Sequence, residues 1–317
     1  MRGWQFERTH KPLELIEKPD PVAKPGYVVL DVKASGLCHS DVGALEDEKW
    51  MALMNVPLFI GHEYAGVITE VGEGVTKFKV GDRVGVCPMP TKDGYGGGYG
   101  RDGGYATKST APEEALIPVP EGVTWAQAAA ATDAGMTSHH AVVVTGGVRE
   151  GMKVGIIGIG GLGSIGARVA VLKGAEVYAA TRSPAAQEEA LKLGCKAVYS
   201  SISEAAKHDL DVIVDFAGAG TTTADAIEAV RPGGRVVLVG MAKLETTINT
   251  MTLITHEVTL VGSQGGNAED IAAVYEMMAS GDLKPEIIEI EFEEIGEGLE
   301  KLKAGGVKGR MVAMMDR

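Results

Sequence analysis

The pattern of hydrophobic and polar positions changes period near the middle of the chain. Before residue 125 the apolar residues come in short runs that alternate with polar ones. Residues 27–34, YVVLDVKA, step in twos as a half-buried strand does. Residues 64–71 repeat the pattern, and residues 78–86 run from a Gly-Asp turn into another strand. Gly and Pro punctuate these runs at 22–26 and 72–75. Short strands so punctuated predict a small, β-rich, barrel-like body. Thr124 then caps a helix over the alanine-rich residues 125–131, and another helix follows over 137–144.

The second half alternates on a longer scale. Apolar runs at 153–157, 176–180, 211–215, 235–240 and 259–262 read as strands. Helical segments separate them at 163–173, 185–193 and 222–230, and another follows at 267–280. Such alternation predicts a parallel, doubly wound sheet. An acidic strand at 287–292, a helix at 295–304 and the run from Gly309 to Val312 complete the pattern.

Composition narrows the partners more than the fold. With 317 residues, of which 45% are apolar, the chain has room for two cores. A net charge of −13 argues against nucleic acid or an anionic membrane surface. No run of 18 apolar residues predicts a membrane span, and residues 1–16 lack the apolar core of a signal peptide. Three cysteines, at 38, 87 and 195, make no disulfide framework and suit a reducing, cytoplasmic setting. Cys195 reads as structural.

Two stretches carry candidate chemistry. Gly158-Ile-Gly160-Gly161-Leu162-Gly163 follows a strand and opens a helix inside a βαβ unit, the context in which G-x-G-x-x-G marks a dinucleotide site. Its glycines allow a tight turn and bring backbone amides to a pyrophosphate at a helix N-terminus. Enzymes that use NAD place an acid at the end of the next strand. Here that place reads Thr181-Arg182-Ser183, with no acid until Glu188. Two hydroxyls and a guanidinium suit a 2′-phosphate, so NADP(H) is predicted. The strand ends at Val239-Gly240 and Ser263 lie on the dinucleotide face of such a sheet. The second stretch is Gly36-Leu-Cys38-His39-Ser40-Asp41, answered by Gly61-His62-Glu63. A thiolate and an imidazole are zinc ligands, and a catalytic zinc needs a third protein ligand and an open position. Asp41 and Glu63 stand where carboxylates would steady those ligands.

G-x-C-H-S-D followed by G-H-E, with the cofactor motif downstream, resembles the zinc-dependent medium-chain alcohol dehydrogenases along nearly the whole chain. The resemblance implies a GroES-like β-rich catalytic domain, residues 1–135 and 264–317, around a Rossmann cofactor domain, residues 136–263. Asp133 falls where the family commonly has a cysteine ligand, and a carboxylate serves there in some members. Cys38, His62 and Asp133 are thus the implied zinc ligands, with Glu63 as a supporting or transient one. The alternative reading of Asp133 is a cap for the next helix. Ser40 matches the hydroxyl that passes a proton to or from the substrate oxygen. Many members end that relay on a His five residues after the Cys, and here that residue is Gly43. His39 matches a residue that approaches the pyrophosphate, Thr137 one that touches the nicotinamide, and Arg310 one that pairs with the pyrophosphate. His139 and His140 read as helix-surface or packing residues.

Residues 87–104 depart from the family. Cys87 stands alone where relatives often carry four cysteines for a structural zinc, so a single zinc per chain is expected. The glycine-rich segment 94–104 reads as a mobile, solvated loop, with Tyr95 and Tyr99 reaching the substrate as the alternative. Trp50, Phe59 and Pro88 are expected to shape the substrate pocket. The implied function is NADP(H)-dependent interconversion of alcohols with aldehydes or ketones, in a homodimer or homotetramer. The alternatives are an enone or quinone reductase of the same superfamily and a non-enzymatic member.

Overall fold

A computed structural model describes residues 1–315. The chain divides into two compact units: Met1–Ala134 with the tail from Asn267 onward, and Gly135–Gly266.

The first unit is built on the strand Tyr27–Gly36. Its period of two places Val28, Leu30 and Val32 in one core cluster with Tyr64, Ile68, Val84 and Val86. It pairs antiparallel with Glu63–Val71 and Lys108–Pro112, and its far end pairs with Arg310–Met314. In space the sheet runs Ile287–Glu291, Arg310–Met314, Tyr27–Gly36, Glu63–Val71, Arg83–Val86, Leu116–Pro118. The tail thus closes the first unit by strand pairing. Arg2–Phe6 lies between Glu14–Glu17 and Leu58–Phe59 in a second, three-stranded sheet. The helix Trp125–Ala130 starts at Thr124, whose side chain and that of Gln127 cap each other's backbone N–H. Its alanines let it lie close to the sheet: Ala126, Ala128, Ala129 and Ala130 are buried. The Tyr275 hydroxyl donates to the Ala128 carbonyl at 2.9 Å.

The second unit holds six parallel strands. Their spatial order is Ala197–Tyr199, Glu176–Ala180, Lys153–Ile157, Leu210–Asp215, Val230–Leu238, Thr259–Gly262. In chain order this is 3-2-1-4-5-6, the doubly wound arrangement with its switch point beside the first strand. The strand Ala197–Tyr199 and the helix Thr250–Thr255 escape the sequence pattern. The first has only three residues, too few to show a period. The strand read from residue 235 begins at Val230, with a register irregularity between Leu210 and Val212 opposite. Among the described residues no helix is long and apolar enough to cross a membrane.

Candidate active site

Cys38 follows the strand Tyr27–Gly36 and caps the helix His39–Glu46. His62 immediately precedes Glu63–Val71, the strand paired with that one. Strand pairing therefore brings the two together across 24 residues of sequence. Asp133 arrives from elsewhere, in the π-helical turn Ala131–Gly135. The backbone at Gly135 is already helical, so Asp133 is not a cap, and that alternative is removed. Turns of this kind recur at functional sites because the extra residue re-aims a side chain.

One ligand atom from each of Cys38, His62 and Asp133 lies within 4.8 Å of the others. His62 Nε2 and Asp133 Oδ2 are 3.4 Å apart. Two ligands each about 2.1 Å from one tetrahedral zinc would stand about 3.4 Å from each other. Spacing and donor chemistry both fit zinc. Ser40 Oγ lies 3.4 Å from the same His62 nitrogen.

The surrounding groups hold this set in place. His62 Nδ1 meets Asp41 Oδ1 at 3.2 Å, which turns Nε2 toward the cluster. Asp41 Oδ2 accepts from the Tyr105 hydroxyl at 2.6 Å and from the Cys38 N–H at 3.1 Å. Asp41 thus ties two of the three candidate ligands to one carboxylate. Glu63 is fully buried, and its Oε2 receives the Arg310 Nε at 2.7 Å and Nη2 as well. Arg310 Nη2 also reaches Asp133 Oδ2 at 3.0 Å. Gly36 makes room for Glu63, since a Cβ there would sit 2.1 Å from Glu63 Oε2. Arg310 was expected on a pyrophosphate. In this structure its Nε and Nη2 meet the buried Glu63 and the partly exposed Asp133.

Burial alone would lower the proton affinity of His62. Tyr99 and then the Asp41 and Asp133 carboxylates outweigh that and hold it well above the ordinary histidine value. Burial would raise Asp133, but His62 and Arg310 pull it below the ordinary range. Glu63 and Asp133 together face the Arg310 guanidinium. A divalent cation would balance the remaining negative charge.

The segment 94–104 is not the solvated loop the sequence suggested. Gly96, Gly97, Gly98, Gly103 and Gly104 are buried. Gly103 N–H donates to Phe59 O at 2.7 Å, and Gly104 N–H to Gly61 O at 2.6 Å. A Cβ on Gly103 would come within 2.1 Å of Gly61 O. These glycines serve close packing rather than freedom. Tyr95 remains 45% exposed, but Tyr99 folds in, its ring 5.1 Å from that of His62. Burial pushes the Tyr99 phenol up to about 12. Trp50 packs on Gly43, where a Cβ would meet Trp50 Nε1 at 2.7 Å. Phe59 and Pro88 are buried rather than presented to a substrate. Sequence reading missed Tyr105 and misplaced Tyr99, since neither carries a spacing signal.

In the second unit the glycines of the cofactor motif divide their work. Gly158 has φ +83°. A Cβ on Gly163 would lie 1.7 Å from Gly158 O, and one on Gly160 would meet nothing within 4 Å. The open side at Gly160, ahead of the helix Gly163–Leu172, is what close approach of a pyrophosphate requires. Gly161 and Leu162 are half-buried, and Ser138 Oγ donates to Leu162 O at 2.8 Å. Arg182 and Ser183 are exposed beyond the strand Glu176–Ala180, and Ser183 caps the helix Pro184–Lys192. Val239 and Gly240 N–H groups both donate to Asp215 O at 3.0 Å. Asp215, fully buried, accepts from Thr222 and Thr223 at 2.8 Å and shapes the turn after its strand. Ser263 Oγ accepts from Thr145 Oγ1 at 3.1 Å. Thr137 and His139 are buried and His140 half-buried, while His39, in the first unit, is exposed.

Two units of this design, with a Cys-His-Asp cluster in one and a glycine cradle in the other, define a two-domain α/β dehydrogenase. Residues 24–121 match the alcohol dehydrogenase GroES-like domain, and residues 161–280 match the zinc-binding dehydrogenase domain. An alcohol dehydrogenase of Geobacillus stearothermophilus is 32% identical, the match covering 100% of both chains. The NADP-dependent alcohol dehydrogenase C 1 of Mycolicibacterium smegmatis is 30% identical over 91% of this chain and 90% of its own. The acetophenone reductase of Geotrichum candidum, solved in complex with NAD, superposes with a TM-score of 0.91 at 28% identity, over 99% of this chain and 97% of that one. The chain belongs to the zinc-type medium-chain alcohol dehydrogenase family. It is an oxidoreductase of alcohols and carbonyl compounds.

Proposed function

We propose that this protein reduces aldehydes or ketones, or oxidises the corresponding alcohols, with one zinc per chain at Cys38, His62 and Asp133 and with NADP(H). The convergence of those three donors within 4.8 Å carries the reading. Zinc held there would polarise the carbonyl, and the reduced nicotinamide would supply hydride. The chain's own residues do the rest. Asp41 orients His62, Glu63 and Arg310 brace Asp133, and Ser40 holds a proton beside His62 Nε2.

Gly158, Gly160, Gly161, Leu162 and Gly163 form the pyrophosphate cradle in this proposal. Thr181, Arg182 and Ser183 take the 2′-phosphate, supported by the absence of an acid there and by the helix N-terminus that Ser183 caps. Val239, Gly240, Ser263 and Thr137 line the remaining length of cofactor, with His39 at the pyrophosphate. None of the three cysteines is in a disulfide, in keeping with a reducing, cytoplasmic setting. A homodimer or homotetramer completes the proposal, to be read by light scattering.

Metal analysis of freshly purified protein, followed by a carbonyl screen with NADPH and NADH, tests the reading. About one zinc per chain and faster turnover with NADPH are the expected results. Arg182→Leu should then raise KM for NADPH about tenfold or more and leave NADH unaffected. No metal in protein never exposed to a chelator would sink the proposal and favour a zinc-free enone reductase.

A further inference from the structure

Within the second unit, a pocket of different chemistry lies at the other edge of the parallel sheet. A cavity of about 200 Å³ is lined by Arg149, Arg231, Arg235, Asp211, Gly147 and Gly233 among others. All its lining residues belong to the unit Gly135–Gly266. Met152 stands just before the strand Lys153–Ile157, Asp211 and Val212 lie at the start of Leu210–Asp215, and Arg231 at the start of Val230–Leu238. The cofactor cradle follows the opposite ends of these strands, about 13 Å further along at about 3.3 Å per residue. We propose that this pocket binds a phosphate dianion, free or as the phosphoryl group of a small metabolite, at a site separate from the cofactor's.

Charge points to an anion. Three guanidiniums and one carboxylate line the cavity, in a chain whose net charge is −13. The carboxylate is already committed: Asp211 Oδ1 accepts from Arg231 Nε at 2.8 Å and Oδ2 from the Lys153 N–H at 2.8 Å. Arg231 Nη1 donates to Pro232 O at 2.8 Å, and Arg235 Nη1 to Thr145 O at 2.7 Å. Nη2 of Arg231 and both Nε and Nη2 of Arg235 are left for a ligand. Arg149 is exposed, and among the described residues its side chain makes no ion pair. Guanidinium forks match the paired oxygens of a phosphate, and a concave wall of one sign raises the local concentration of counter-ions.

Backbone shape and size point the same way. Leu210 pairs with Val230 but Val212 pairs with Arg235, so residues 231–234 bulge from the ladder. The bulge carries Arg231 back to Asp211. Gly147 and Gly233 take φ +64° and +72°, and a Cβ on Gly147 would meet nothing within 4 Å. Bare backbone lets an anion come close. A cavity of about 200 Å³ is smaller than the about 300–1,000 Å³ of sites for drug-sized ligands, which suits a small tetrahedral oxyanion and not a dinucleotide.

Calorimetric titration of the full chain with inorganic phosphate tests this, at an ionic strength of about 0.15 M held by NaCl. The background protein is Arg182→Leu, which removes the guanidinium proposed for the cofactor's 2′-phosphate. It should bind phosphate saturably with a Kd of about 1 mM or tighter. Adding Arg149→Gln should weaken that Kd about tenfold or more. Arg149 is exposed, so its replacement leaves the fold intact, and circular dichroism checks this. Arg235→Gln should weaken binding as much, but it also loses the bond to Thr145 O, so Arg149→Gln decides. Phosphate should also raise the melting temperature of the R182L protein, and the R149Q/R182L protein should lose that rise. Glycerol 3-phosphate is titrated alongside. Tighter binding than phosphate identifies a phosphoryl metabolite, weaker binding identifies the free ion, and both support the site. No saturable binding of either ligand to R182L overturns the inference, and so does a Kd that Arg149→Gln leaves unchanged. Neither result bears on the function proposed above.

Discussion

Asp41 does more in this site than its place three residues after Cys38 suggests. One carboxylate orients His62, receives the Cys38 N–H and is held by Tyr105. Asp41→Asn keeps the shape but can present an amide N–H₂ where His62 Nδ1 needs an acceptor. Zinc affinity, read by chelator competition, should fall about 10–100-fold, with the fold unchanged by circular dichroism. Arg310 carries a different burden. It is 4% exposed and faces Glu63, which is fully buried. Arg310→Met strands that carboxylate without its partner, and urea denaturation should show a loss of about 3–5 kcal/mol. A loss below about 1 kcal/mol would mean that Glu63 finds other compensation. Cys38, His62 and the Asp41 and Glu63 supports were legible in the sequence, because each lies in a short motif. Tyr99, Tyr105 and the ion-pair role of Arg310 were not, because their partners lie 37 to 247 residues away.

At the scale of elements, the turn between the strand Lys153–Ile157 and the helix Gly163–Leu172 shows how little freedom the motif has. Gly163 touches Gly158 O, while Gly160 faces open space. Gly163→Ala must push the turn apart, so NADPH affinity should fall at least about tenfold by fluorescence titration. Gly160→Ala should fold normally, and its loss of affinity would come from crowding the pyrophosphate alone. Both glycines look alike in sequence, and the backbone that surrounds them separates their roles. The same holds for the segment 94–104. Glycine content signalled mobility, and the structure uses those glycines for close approach instead. The helix Trp125–Ala130, by contrast, was legible to its cap, because Thr124 and Gln127 act locally.

At the scale of the molecule, the three thiols sort by environment. Burial raises both Cys87 and Cys195, the latter to about 12, whereas Cys38 is half-buried at the candidate site. Metal-free protein treated briefly with iodoacetamide near neutral pH should therefore carry one label, on Cys38, by peptide mass spectrometry. Added zinc should suppress it. Label on Cys195 at a comparable rate would contradict its burial. The sequence by itself pointed to the α/β architecture, the cofactor cradle and the candidate ligands Cys38, His62 and, through the family resemblance, Asp133. Hydrophobic period, glycine spacing and neighbouring motif residues are local properties that survive without a structure. Only the tertiary structure decided that Arg310 lies between Glu63 and Asp133 and that the Tyr99 ring stands beside His62. Those contacts depend on where a π-helical turn, a returning tail strand and a packed glycine loop come to rest, and no spacing along the chain encodes such distances.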